Sequence, residues 1–137
     1  LQMKLEKMGH IVHTTRDILK NDLSVTQRGK KAQGYNVFIS LHSNDFDESD
    51  DLATAERVDY VVAYVPSYAN NTRCKKSKEL GLKFAQYIKG VIGSKQTART
   101  STKLKENGEE WYGVLRGWQY TNCEIGFTKY SSNPSFL

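Results

Sequence analysis

One stretch narrows the folds open to this chain more than any other: Val37-Phe38-Ile39-Ser40-Leu41-His42-Ser43-Asn44, an apolar run that stops at a histidine flanked by small polar residues. Val, Phe and Ile in succession favour extended backbone, and a run apolar on both faces reads as a strand buried in a sheet. Such a strand delivers His42 and Asn44 to its carboxyl tip. Two uses of that tip compete: a working site, or a histidine that simply closes a core strand. Pattern alone favours neither.

The rest of the chain supplies company for that strand. Leu1, Leu5 and Met8 fall on one helical face with Gly9 at the C-cap position, so the chain is expected to open inside a helix, as if a segment preceded it. His10 to Thr15 reads as a short strand; alternation sends His10 and His13 to opposite faces, which argues against their sharing one ion. Arg16 to Leu23 reads as loop. Ser24 and Gln27 form a capping box, and Gly34 closes the helix they start. Val25, Arg28, Gly29 and Ala32 share a face of it, so Arg28 needs a polar partner among apolar neighbours.

Asp45 to Asp51 is acidic but lacks the Gly and closing Glu of an EF-hand, and reads as a solvated loop. Val58 to Val65 is a second strand ended by Pro66. After Thr72 comes the clearest helix: Leu80, Gly81, Phe84, Ala85, Ile88, Val91 and Ile92 recur at helical spacing, with lysines on the other side. Gly93 to Gly108 is polar and reads as loop. Trp111 to Phe127 reads as a turn and a last strand, Tyr120 to Ile125, and Ser131 to Pro134 as a helix start.

At 137 residues and 38% hydrophobic, the chain suits one domain spanning 1–137. No apolar run is long enough to cross a bilayer, and no signal-peptide layout opens it, so no membrane insertion is expected. Cys74 and Cys123 are too few for a disulfide framework and match no zinc spacing. Twenty Lys and Arg against 15 Asp and Glu give a formal charge of +5, which favours polyanions. The basic clusters, Arg73 to Lys78 and Lys95 to Lys105, have no interleaved aromatics and no recognition-helix layout, so no specific nucleic-acid partner is expected.

Strands alternating with helices predict an α/β fold: a twisted, largely parallel sheet flanked by helices on both faces. Ligands in such folds bind beyond the carboxyl ends of strands, where His42 and Glu124 are both expected.

Several motifs occur in a recognisable order: Gly9-x-x-Val12-x-x-Thr15-Arg16, Arg28 and Ala32 after Leu23-Ser24, Phe38 to Asn44, Ser77-x-x-Leu80, Val114-Leu115-Arg116, and Glu124-Ile125-Gly126-Phe127. In this order they resemble zinc-dependent N-acetylmuramoyl-L-alanine amidases, the peptidoglycan amidases of bacterial autolysins and phage endolysins. The resemblance implies a phosphorylase/hydrolase-like fold, Zn2+ as cofactor and peptidoglycan as substrate. It also implies action at the bacterial cell wall after secretion or phage lysis. It makes His42 a zinc ligand and Glu124 the carboxylate acting on the attacking water, with Asn44 and Arg116 as contacts to glycan or stem peptide. Zinc suits that role because it lowers the pKa of bound water to ~7. The family's first histidine and its metal-binding glutamate have no counterpart here, so the chain alone is expected to retain little zinc and hydrolyse little. Gln33 replaces a family asparagine, a change expected to affect packing more than chemistry.

Two other functions compete with the amidase. Cys123 as nucleophile with His42 as base would make a cysteine hydrolase, which chelation leaves unaffected. The Arg73 to Lys78 face would make a non-catalytic module for an anionic wall polymer, betrayed by salt-sensitive binding without cleavage.

Overall fold

The computed structural model describes residues 1–16, 23–43, 59–67 and 72–132. Asn44, the acidic loop from Asp45 to Asp51 and the helix start expected at Asn133 and Pro134 lie outside the described residues.

The described elements are α1 (Gln2–Lys7), α2 (Val25–Lys30), β1 (Val37–Ser43), β2 (Tyr60–Tyr64), α3 (Thr72–Ile92), β3 (Arg99–Ser101), α4 (Gly113–Trp118) and β4 (Ile125–Ser132). The strands form one sheet in the order β1-β4-β2-β3. β1 runs parallel to β4, β4 antiparallel to β2, and β2 parallel to β3. Two strands therefore run each way. The chain is α/β as its alternating pattern implies, but the sheet is mixed, not largely parallel. Strand direction depends on connections and distant pairing, which a local hydrophobic pattern does not encode.

Alternation along β4 builds a core on each face of the sheet. Ile125 and Phe127 join Val61, Ala63, Val65 and Ala85 in a cluster lined by Leu80, Phe84, Ile88 and Ile92 of α3. Gly126 faces the other way, against Trp118, which packs with Ala32, Phe38, Val114, Leu115 and Cys123. Burying a side chain of the size of Phe127 stabilises the fold by ~1.5–3 kcal/mol.

Helix α2 starts on the full capping box expected of Ser24 and Gln27, with reciprocal bonds of 3.2 and 2.9 Å. Gly9 and Gly34 both adopt positive φ where helices end. Residues 10–15 are irregular, not the expected strand, and α1 buries none of its residues. Three differences lie in the second half of the chain. The polar stretch after Gly93 contains β3; α4 occupies part of the expected turn; and the last strand begins at Ile125, where it was expected to end.

Helix α4 contains two glycines and ends in Trp118, a composition with poor intrinsic helix propensity. Tertiary packing supplies the stability. A Cβ on Gly117 would overlap the Thr26 carbonyl, and one on Gly29 would overlap the Val114 carbonyl. The two short helices thus cross with their backbones in contact. Gly117→Ala is expected to lower stability by about 1–3 kcal/mol in urea denaturation, because one backbone must move. Gly90→Ala, where a Cβ meets nothing within 4 Å on the exposed side of α3, is expected to raise it by up to ~1 kcal/mol.

Candidate functional site at the carboxyl end of β1

His42 projects from the last turn of pleat in β1, on the same face as Phe38 and Ser40. Its ring stacks on Tyr130 of the adjoining strand, with centroids 4.7 Å apart and planes within 6°. The register explains the contact, since His42 and Tyr130 are direct partners across the β1–β4 ladder. Nε2 lies 2.8 Å from the Ser40 hydroxyl. Tyr130 continues into a cluster with Tyr64 and Tyr112, at 5.6 and 5.1 Å. Burial raises the pKa of both Tyr112 and Tyr130, keeping the phenols neutral.

Partial desolvation, then the positive charges of Arg16, Arg28 and Lys129, lower the His42 pKa below its ordinary 6.5. At neutral pH the imidazole is uncharged and has an available lone pair, the form that binds a metal or takes a proton.

Glu124 lies at the other end of the sheet. β4 starts one residue after it, so its neighbours across the ladder are Asn36 and Val37, not His42. Six residues of strand separate Glu124 from Tyr130, or about 20 Å at ~3.3 Å per residue. Its carboxylate is exposed and pairs with Lys76 at 2.6 Å; that hydrogen bond and charge lower its pKa. The expectation that His42 and Glu124 meet at one set of strand ends fails for a specific reason: the last strand starts at Ile125, five residues later than its pattern suggests, which leaves Glu124 just before its amino end.

Side-chain clamps set that offset. Gln33 Oε1 accepts the Asn122 N–H at 3.0 Å, Asn122 Oδ1 accepts the Gly34 N–H at 2.8 Å, and the Ile125 N–H reaches the Asn36 carbonyl at 3.2 Å. From α3, Ser77 Oγ accepts the Gly126 N–H at 3.0 Å. Gln33 accordingly has a structural role, as its position suggested.

The other sequence candidates fall into place singly. Arg116 donates to the carbonyls of Glu110 and Trp111, both at 2.8 Å, and braces the approach to α4. Cys123 is fully buried, its thiol donates to the Ile125 carbonyl at 3.3 Å, and burial raises its pKa. It stands beside Glu124, far from His42, so the cysteine–histidine pair does not form. Arg73 turns inward, over the Trp118 ring and onto the carbonyls of Thr121 and Cys123 at 3.0 and 2.8 Å. The basic face of α3 is left to Lys75, Lys76, Lys78 and Lys83.

Sequence reasoning missed Ser40 and Tyr130. Ser40 was legible, because residues two apart on a strand share a face. Tyr130 was hidden by the misplaced last strand. Among the described residues, no three His, Cys, Asp or Glu side chains come close enough to hold a metal ion. The described residues around His42 therefore do not complete a zinc site, and no catalytic step through zinc follows from them. No described helix is long and apolar enough to cross a membrane.

Compared with protein-family models, curated proteins and solved structures, the chain matches none.

The depressed pKa of His42 has a thermodynamic signature. Below 6.5 the unfolded chain binds the proton first, so stability is lost as pH falls from 6.5 towards the folded pKa. Urea denaturation at pH 7.5 and 5 is expected to show a smaller loss for His42→Gln than for the wild type. NMR titration should place the His42 midpoint below 6.5.

Proposed function

We propose that this chain belongs to a zinc-dependent N-acetylmuramoyl-L-alanine amidase acting on peptidoglycan, and that His42 is its contribution to the metal site. The ordered motifs from Gly9 to Phe127 support this reading. The observation that carries it is the state of His42: uncharged, near the carboxyl end of β1, with one nitrogen bonded to Ser40 and its ring stacked on Tyr130. The remaining ligands come from outside the described residues.

Glu124 does not serve this site in the observed register. For it to act beside His42, β4 would have to stand six residues further along β1. Six is even, so each side chain would keep its face, but every pairing and each of the clamps around Asn122 would be lost. We assign Glu124 to its ion pair with Lys76, and Arg116 to bracing.

The cysteine alternative loses ground to the burial of Cys123, and the binding-module alternative to the inward turn of Arg73.

The test is amide hydrolysis of peptidoglycan by the natural polypeptide carrying this chain, followed by release of L-alanine amino termini. Chelation is expected to abolish release and Zn2+ to restore it. His42→Ala should lower it by more than ~100-fold, beyond the 10–100-fold typical of losing an outer partner of a ligand. Glu124→Gln should stay within about twofold, the result expected of a surface ion pair. Hydrolysis indifferent to chelation, or full activity in His42→Ala, would refute the amidase reading; salt-sensitive binding without cleavage would point to the wall-polymer module.

A further inference from the structure

We infer that the outer edge of β1 is a self-association surface, on which a second copy of this chain lays its own β1 antiparallel across a two-fold axis at Ile39.

The two edges of the described sheet are built differently. β3 forms one of them with three residues, Arg99–Ser101, and an exposed arginine; a short, charged edge resists further pairing. β1 forms the other with seven residues, Val37–Ser43, none of them lysine, arginine, carboxylate or proline. Its unbroken register with β4 includes no bulge to twist it away. A strand of that length and composition is a template for another strand.

Main chain and side chains single out the same residues. The Ile125 N–H reaches the Asn36 carbonyl, and a parallel ladder then alternates, so Phe38, Ser40 and His42 bond towards β4 while Val37, Ile39 and Leu41 turn their N–H and C=O groups outward. Among the described residues nothing bonds those outward groups. The ring contact of the amino-terminal segment, His13 with Tyr35, falls before the strand begins. Val37 and Leu41 are also the exposed large apolar side chains of β1, at 38% and 50%.

A second copy fits because the strand is its own complement. With Ile39 on the axis, Val37 stands opposite Leu41 of the second copy and Leu41 opposite its Val37, the isologous arrangement of a two-fold dimer. Each outward residue then meets an outward residue, as the hydrogen-bonded pairs of an antiparallel ladder require, and each apolar side chain meets an apolar one. A slip of one residue would set outward groups against inward ones.

The test is sedimentation of the complete chain over a concentration series, with isotope-filtered nuclear Overhauser spectra of a mixture of labelled and unlabelled protein. The mass is expected to rise from 15.6 kDa towards twice that value, with intermolecular cross-peaks joining Val37 to Leu41. Leu41→Lys is expected to weaken association by about 10-fold or more, since symmetry counts each change twice, and to leave the far-ultraviolet circular dichroism unchanged. Ile11→Lys, exposed and outside β1, is expected to leave association unaltered. A 15.6 kDa species alone up to about 1 mM, intermolecular cross-peaks only from residues outside β1, or association unchanged in Leu41→Lys would each overturn the inference. The cross-peaks are read on the wild type, so they decide the matter even where a variant fails to fold.

Discussion

The fastening of the amino ends of β1 and β4 is the constraint on which the rest of this structure depends. Gln33 and Asn122, 89 residues apart in sequence, close the turn after α2 onto the turn before β4. The next bond, from Ile125 N–H to the Asn36 carbonyl, starts the parallel ladder with Val37 opposite Ile125. α3 reinforces the same point: Ser77 receives the Gly126 N–H, and Arg73 holds the carbonyls of Thr121 and Cys123. Each bond contributes a net ~0.5–1.5 kcal/mol, but together they choose one register from the many a parallel pair allows. Gly126 completes the choice, since a Cβ there would lie 2.5 Å from the Trp118 indole.

That register distributes the chemistry. His42, Tyr130 and Ser40 meet at one end of the β1–β4 pair, while Glu124, Cys123 and Lys76 gather at the other. The first group holds an uncharged imidazole stacked on Tyr130 and bonded at Nε2 to Ser40. The second is a surface ion pair beside a buried thiol whose pKa burial raises, the opposite of an activated nucleophile. Partial desolvation, then the cations near it, disfavour protonation of His42, and the phenols around it stay neutral.

What the sequence discloses divides along the range of the forces involved. α3 was legible because the alternation of apolar and basic residues over Thr72–Ile92 is a local signal with one solution. The capping box of α2 was legible for the same reason. β1 was recognised from three β-favouring residues in a row, although it stands at one edge of the described sheet, with Val37 and Leu41 exposed. α4 was not legible, since Gly113 and Gly117 lower its propensity and its stability comes from contact with α2. β3, three residues long and mostly polar, carries almost no pattern. The direction and register of β4 depend on Gln33, Asn36 and Ser77, each far away in the chain, and no window around Glu124 contains that information. The place of His42 near the carboxyl end of β1 was therefore readable, and the place of Glu124 at the opposite end of the β1–β4 pair was not.

The central claim is that β4 pairs with β1 so that His42 faces Tyr130 and is separated from Glu124 by the length of the strand. Interstrand nuclear Overhauser effects in the 137-residue chain measure this directly. The account predicts backbone cross-peaks linking Val37 with Ile125 and His42 with Tyr130, together with ring contacts between His42 and Tyr130. Cross-peaks joining His42 to Cys123 or Glu124 would contradict it and would restore the histidine–glutamate pair to a single site.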